Sequence, residues 1–494
     1  MTIPATTWLW GLLLVGCGLL VAFLPLPVVI VLVGGLTALV AIALRPIIGL
    51  AITLFVAPFA AWEAVFVGGV FGRFSSGQLV LYLTLAAWLM QGLARREIRV
   101  PSTPFNRPIL LFVSVMALSL WNAASTWDGL KEIGKWLEIV LVLWLVVDTG
   151  RRYWAGDSAE KRNYTRLLVL ILLLGAIFQA VMGIWQYGLR GDGPEHFLIS
   201  DGLYRASGTF QQPNPFGGYI SLMLSLAVGT LTGLLVALWF RRHNRKRSPV
   251  SSWLWLGFLG ITVLLLVGAL LSSWSRGAWF NYVAGLVVFV FFLPRKRWHG
   301  LLLLVLGGLA LLAVGQAGLI PASIYDRLTG FAGDLQLSDV RGVDINDVNF
   351  AVIERLAHWQ AALGMARDQL WLGVGFGNYE AVYPRFALVN WQAALGHAHN
   401  YYLNLLAETG LVGLLAYIGL WLVIVWQTLK LLVLRSWEAR GMALGLLAAW
   451  TGMAVHHLLD NLYVNNLFLQ LGTMLGLLVM LRDRREDEQK AVVE

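Results

Sequence analysis

"SWLWLGFLGITVLLLVGALLSSWSRGAWFNYVAGLVVFVFFLPRKR" occupies residues 252–297. Two apolar runs, 252–272 and 277–293, are joined by a few polar residues around Arg276 and end in Arg295, Lys296 and Arg297. As helices rising about 1.5 Å per residue, such runs are long enough to cross roughly 30 Å of bilayer hydrocarbon. The stretch reads as a transmembrane hairpin with one arginine at its tip and a basic cluster at its foot.

The same pattern continues in both directions. Apolar runs are expected to span near 8–24, 28–44, 47–61, 78–94, 108–124, 131–147, 167–187, 216–240, 252–272, 277–293, 299–316, 403–430, 441–459 and 463–481. Of the 494 residues, 58% are hydrophobic and 13% charged, against about half and a quarter in soluble domains. Long unbroken runs, rather than short alternating ones, exclude a membrane barrel. The expected fold is an all-α integral membrane protein of about 12–14 transmembrane helices. Cys17 is the only cysteine, so a disulfide framework and a cysteine metal site are excluded. The first run, with no convincing cleavage site, reads as a retained helix rather than a removed signal peptide.

Orientation follows from the basic residues. Arg95-Arg96, Arg151-Arg152 with Lys161-Arg162, "RRHNRKR" (241–247), "RKR" (295–297) and "RDRR" (482–485) fall on one side if the spans alternate. That side is expected to be cytoplasmic, with both termini on it, in a plasma (inner) membrane. The net charge of +9 then reflects topology, not nucleic-acid binding. The expected organisation is N-terminal helices (1–164), central helices with extracytoplasmic arginine loops (165–316), an extracytoplasmic loop domain (317–398), C-terminal helices (399–482) and a cytoplasmic tail (483–494).

The loop domain is too long for a structureless connection. Its run 351–373 places Val352, Leu356, Trp359, Ala362 and Leu363 on one helical face, with Glu354, Arg355 and Arg367 off it. The Gly-rich "GVGFGNYEAVYP" (373–384) follows. A helical cap over the outer mouth of the bundle is expected.

Three outer sites stand out. Arg205 lies in "YRASGTFQQPNPFGGYI" (204–220), Arg276 in the hairpin, and His397 and His399 in "GHAHNYYLNLLAETGLVG" (396–413). An interfacial arginine either snorkels or pairs with an acid, or clamps an anion with its planar fork. A histidine there is either a hydrogen-bonded interface residue or a neutral base at physiological pH. Asn400 is a candidate N-cap. Gly410 and Gly413, with Ala407 and Ala416, offer a small face to another helix. Glu138 is expected to pair with Lys135 or, alternatively, to line a groove. His456, His457 and Asp460 with His397 and His399 are the one cluster suited to zinc or copper. Asp339, Asp344 and Asp347 lack EF-hand spacing. The expected site has no metal and no cofactor.

In this order, these elements resemble the O-antigen ligase and O-antigen polymerase superfamily, which also holds bacterial protein O-oligosaccharyltransferases. Arg205 opens "RASGTFQQPNPFGGY", similar to the family's Arg…Gly-Thr-Phe…Pro-Asn stretch, which includes Asn214. "SWSRGAW" is similar to its Ser-Arg-Gly-Ala element. "ERLAHWQAAL…LGVGFGNY" looks like the helix and turn of its long loop. His399-Asn400, nine residues, then Gly410-Leu-Val-Gly413 matches the ligase pattern; Leu414 stands where Thr often follows. The resemblance implies a GT-C-like membrane glycosyltransferase. It implies a glycan donor on undecaprenyl diphosphate and an acceptor hydroxyl outside the membrane, on lipid A-core in a ligase, a second repeat in a polymerase, or protein Ser/Thr in an oligosaccharyltransferase. Transfer would be inverting and metal-independent, ligase-like first. His399 would be the base and Arg205 and Arg276 would hold the diphosphate, with His397, Asn400, Asn214, Glu408, Gly410 and Gly413 in support. A lipid-linked oligosaccharide transporter is the alternative from another class, but it calls for midplane charges and internal repeats, and neither stands out.

The orientation is tested with cysteines placed in a Cys17→Ser background. Those replacing Asp128, Gly193 and Val340 should react with an impermeant thiol reagent in intact cells. Those replacing Asp157 and Arg245 should be protected until the membrane is opened. The reverse pattern would invert the topology.

Overall fold

The computed structural model describes residues 16, 18, 24–66, 74–156, 158–200, 202–245, 249–329, 339–346 and 349–493. Nearly all of the expected first span, 8–24 with Cys17, and Asp347 lie outside the described residues. The remaining expected spans each coincide with a helix: α1 (Leu26–Leu44), α2 (Pro46–Phe66), α3 (Ser76–Ala94), α4 (Asn106–Ser119), α5 (Thr126–Tyr153), α6 (Ser158–Gly188), α7 (Pro213–His243), α8 (Val250–Ser272), α9 (Arg276–Phe292) and α10 (Arg297–Gln316). After the loop domain come α14 (Tyr401–Lys430), α15 (Trp437–His456) and α16 (Leu467–Val493). The loop domain itself contributes α11 (Ala322–Thr329), α12 (Phe350–Asp368) and α13 (Tyr379–Val382). The protein is an all-α integral membrane protein. Among the described residues, eight helices are long and apolar enough by themselves to cross a membrane. The others are short, as α4 and α9 are, or carry charges, as α5 does with Lys131, Glu132, Lys135 and Glu138.

The centre of the bundle is the α7–α15 pair, whose side chains are almost all buried over the N-terminal two thirds of α7 and the whole of α15. Gly229 and Gly233 on α7 meet Gly441 and Gly445 on α15. A Cβ added to Gly229 would lie 2.5 Å from the Gly441 carbonyl oxygen, and one added to Gly441 would lie 2.4 Å from that of Gly229. These are two small-xxx-small motifs in backbone contact. Lipid tails are as apolar as leucine, so close van der Waals packing of this kind drives helix association in a bilayer. The pair is fixed at one end by Arg166 of α6, which forks onto Glu438 of α15. Arg440, fully buried, donates to the carbonyls of Phe292 and Leu293 at the end of α9. Those carbonyls have no partner within their helix.

The basic clusters gather at this same end. Arg151 forks onto Asp483, Arg152 reaches Glu97 at 2.7 Å, and Lys161 reaches Asp487 at 2.5 Å. At the opposite end lie the loop domain and the turns around Arg205 and Arg276. The loop domain has its own apolar contacts, formed by Val340, Ile353, Leu356, Ala357 and Trp391 in one cluster and Ala361, Met365, Val374, Tyr379 and Tyr383 in a second.

One expected pairing is corrected. Lys135 pairs with Glu132, not with Glu138. Glu138 turns toward α3, where it accepts from the Tyr82 hydroxyl at 2.5 Å and the Gln78 amide at 3.1 Å. Three residues along a helix return to nearly the same face, so Lys135 had an acid on either side. The one nearer the helix end has it.

Candidate active site

Two loops meet where α7 and α9 begin and α8 ends. The Arg205 loop follows a short antiparallel pair, β1 (Leu198–Ser200) and β2 (Leu203–Tyr204). Its backbone is tied down where it matters: Arg205 N–H donates to Phe197 O at 2.8 Å, and Ala206 N–H to Ser272 O at 2.9 Å. Gln186 accepts from the N–H groups of Ser207 and Gly208 at 3.1 and 2.7 Å. In the second loop Ser275 caps α9, accepting from Ala278 N–H. Asn214, between Pro213 and Pro215 at the start of α7, joins the two. Its carboxamide oxygen accepts from Ser275 Oγ at 2.9 Å and from Arg205 Nη2 at 3.4 Å, while Arg205 Nε donates to Ser273 O.

These groups open onto a cavity of about 380 Å³ whose polar lining includes Arg205, Asn214, Arg276, Arg327, Arg355 and Asp460. Four guanidinium groups thus share it with one carboxylate. Burial, and then the like charges of Arg327, Arg355 and Arg276, push the Arg205 guanidinium down to about 9. Burial and Arg355 act on Arg327 in the same direction. Among the described residues that line the cavity, guanidinium groups outnumber carboxylates four to one, and a bound anion would relieve their repulsion.

The histidine segment abuts the same cavity through Asp460. Asn400 caps α14, its side chain accepting from the N–H groups of Tyr402 and Leu403. Tyr401 N–H donates to His457 O at 2.8 Å and Ala398 N–H to Asn404 Oδ1 at 3.0 Å, locking the segment to the end of α15. His399 is held at φ +51, a left-handed conformation uncommon for a residue with a side chain. His399 N–H donates to His397 Nδ1 at 3.1 Å. A backbone N–H can only donate, so Nδ1 is the acceptor nitrogen of neutral His397 and Nε2 carries its proton. That Nε2 lies 3.8 Å from Asp460 Oδ1, and His399 Nδ1 lies 3.8 Å from the same oxygen. Burial pushes the His397 imidazole down to about 4, which keeps it neutral. Burial raises the Asp460 carboxyl, but His399, His397 and His456 outweigh it and hold it below the usual carboxylate range. An ionised Asp460 only accepts, so it favours the His399 tautomer with Nδ1–H toward it and Nε2 as the lone pair.

His397, His399 and Asp460 offer ligand atoms within 4.8 Å of one another. They do not fit a metal in this arrangement. His397 Nδ1 is already taken by a backbone N–H, so Nε2 is protonated where a ligand must be a lone pair.

A third imidazole, His358 of α12, stands behind them with its ring centroid 5.5 Å from that of His399. The Tyr379 hydroxyl donates to His358 O at 3.2 Å, so it accepts from His358 Nδ1 at 2.9 Å. His358 Nε2 is then a buried lone pair, and no protein donor meets it. Nothing in the sequence pattern marked His358, because a buried histidine inside an amphipathic run carries no signature of its own.

The remaining expected residues act on the backbone. α14 is interrupted at Gly410 (φ +64, ψ −166), a region open essentially to glycine alone. The Gly-rich turn enters the break. Val374 N–H donates to Ala407 O and Gly375 N–H to Glu408 O, both at 2.9 Å, and Leu411 N–H donates to Leu370 O at 2.8 Å. The Glu408 carboxylate accepts from Tyr379 N–H at 3.0 Å. The group that approaches Gly410 is therefore the 370–375 turn, not a second helix as expected, and Gly413 faces Thr409 of its own helix. The packing face of α12 is wider than expected. Leu356 and Ala362 are buried inside the loop domain together with Ile353, Ala357, Ala361 and Met365, and Val352 and Trp359 pack against them; Val352, Leu356 and Trp359 also line the cavity beside Arg355. Leu363 is exposed.

Gly410→Ala should lower the thermal midpoint and abolish the docked turn. Its Cβ would lie 2.3 Å from the Trp371 carbonyl carbon, on top of a backbone strain of about 1–3 kcal/mol. Gly419→Ala, in the same helix with nothing within 4 Å of the added Cβ, should be neutral or stabilising by up to about 1 kcal/mol. Equal thermal midpoints for the two variants would contradict the glycine break.

No curated protein matches the chain. Residues 261–418, roughly a third of its length, match the family model described as O-antigen ligase. This region carries Arg276, Arg327, Arg355, His397, His399 and the glycine break, and through it the chain is similar to the O-antigen ligase family.

Proposed function

We propose that the protein moves a glycan from an undecaprenyl-diphosphate carrier to an acceptor hydroxyl on the extracytoplasmic side of the plasma membrane, most nearly as an O-antigen ligase does. The observation that carries this reading is the shared cavity. Arg205 and Arg276 line it together with Asp460, which has His397 and His399 behind it. The acceptor oxygen attacks the anomeric carbon, the bond from that carbon to the diphosphate oxygen breaks, and the electron pair leaves with the lipid diphosphate. Arg205, half-buried and held by the Asn214 carboxamide and the Ser273 carbonyl, and Arg276, which lines the same cavity, stabilise the charge as it develops. The hydroxyl proton passes to His399 Nε2. Attack opposite the leaving group inverts the anomeric centre. The guanidinium groups supply the phosphate contacts, so the step calls for no metal.

Asp460 lines the cavity directly and His399 does not, which favours Asp460 as a second candidate base. Its depressed pKa decides against it: a base works best when its pKa lies near the working pH, and a carboxylate held below its usual range is a poor proton acceptor. Asp460 is assigned instead to orienting His397 and His399. Both His399 ring nitrogens are shielded from solvent, so the acceptor reaches Nε2 only when the loop domain or the imidazole shifts. Ligase, polymerase and oligosaccharyltransferase chemistry differ here only in the acceptor. A transporter would leave this one-ended site without a task.

Single-turnover transfer from a lipid-linked donor tests the assignments together. His399→Ala should lose about a hundred- to ten-thousandfold in rate with donor affinity retained, and His397→Ala should lose less. Arg276→Lys should lose about ten- to a hundredfold, because a point charge cannot reproduce a charge-assisted fork. EDTA should leave the wild type unchanged. Wild-type rates in Arg276→Lys would reduce Arg276 to an interface anchor. A dead His397→Ala with an active His399→Ala, or loss of activity in EDTA restored by zinc, would overturn the base.

A further inference from the structure

The cavity holds more positive charge than a diphosphate diester, with two negative charges, requires. Two of its four arginines come from the membrane helices and their loops. The other two, Arg327 on α11 and Arg355 on α12, come from the loop domain and have no role in the transfer chemistry above. Arg327 donates from Nη2 to Trp274 O at 3.0 Å, but its buried Nε meets no protein acceptor. Trp359, one turn beyond Arg355 and lining the same cavity, also has a buried Nε1–H with no protein acceptor. Arg355 donates to Ala351 O of its own helix. Among the described residues, no carboxylate pairs with Arg327 or Arg355.

Buried polar groups without partners are rare in native structures, and each calls for an explanation. Here two are carried by residues that line one cavity, and both are donors. Guanidinium and indole nitrogens can only donate. The group that satisfies them must bring acceptor oxygens, and the excess positive charge selects an oxyanion over a hydroxyl. We infer that Arg327, Arg355 and Trp359, in the cavity they share with Arg205 and Arg276, form a second anion subsite, which holds a carboxylate or phosphate borne by a sugar. The inference rests on the glycan-transfer reading for the identity of the sugar, and it makes the substrate an acidic glycan. The charge resides on either the transferred glycan or the acceptor.

The test is binding, which needs no chemistry. The purified full chain is titrated calorimetrically with a trisaccharide ending in glucuronate and with its methyl ester. The wild type should favour the acid by about ten- to a hundredfold, the range of a charge-assisted contact. Arg327→Gln and Arg355→Gln should each bring that ratio close to one. Trp359→Phe, which keeps the ring and removes only the N–H, should lower it partially. Inorganic diphosphate should lose more affinity in Arg205→Gln than in Arg355→Gln. A wild type that does not distinguish acid from ester, a ratio unmoved in both glutamine variants, or equal loss of diphosphate in Arg205→Gln and Arg355→Gln would overturn the second subsite. Transfer assays with the carboxylate placed on the donor glycan or on the acceptor then identify its source, as the substrate whose KM rises in Arg355→Gln. Acid-selective binding without transfer of any glycan would leave the subsite standing and refute the transferase reading alone.

Discussion

Two helices that meet without side chains between them organise this protein. Gly229 and Gly233 bring α7 into backbone contact with Gly441 and Gly445 of α15, and at the end away from the basic clusters the same two helices deliver Asn214 at one start and His456, with Asp460 just beyond, at the other finish. Because the axes cannot come closer, the distance between those ends is set by the backbone rather than by flexible side chains. Helices held by small-residue packing have no compressible layer through which an error could be absorbed. A bulky residue at any of the four glycines would therefore move Asp460 relative to Asn214, both of which line the cavity.

The loop domain is held to this frame in a different way. A helix normally consumes its own hydrogen bonds, and α14 gives up part of its ladder at Gly410 so that the 370–375 turn can use it. The exchange fixes α12 over the cavity, since Glu408 also receives Tyr379 and Tyr379 in turn holds His358. The electrostatics follow from this assembly. Arg327 and Arg355 arrive from the loop domain, Arg205 and Arg276 from the membrane helices; the other three lower the affinity of Arg205 for a proton, and Arg355 lowers that of Arg327. A site built this way is strained in charge until an anion enters it. The same strain would draw an anionic leaving group into position.

Much of this was legible in the sequence, and what was not has physical reasons. The apolar runs declared the helices, since nothing else in a bilayer satisfies the backbone. Arg205, Arg276, His397 and His399 stood out because charge and imidazole are conspicuous in apolar surroundings. Arg355 was seen but placed off the packing face, because a helix beside a cavity has two inward faces and periodicity reveals only the greasier one. Arg327 lies in a short helix with no pattern to read. Gly410 was marked as a small residue, yet sequence spacing cannot tell a glycine that receives a helix from one that breaks its own. The glycine pairs at 229/233 and 441/445 each carry a recognisable four-residue spacing, but nothing in one chain says which motif meets which. Glu138 had a lysine at hand on its own helix and took partners from another.

The central claim is that one outer cavity breaks the bond between a glycan and a lipid diphosphate. The most direct measurement is made on the purified protein with a labelled undecaprenyl-diphosphate glycan and an acceptor, following free lipid diphosphate and glycosylated acceptor together. The account predicts that the two appear in equal amounts and that both disappear in His399→Ala. Passage of the intact lipid-linked glycan across a vesicle membrane, with no lipid diphosphate released, would contradict it.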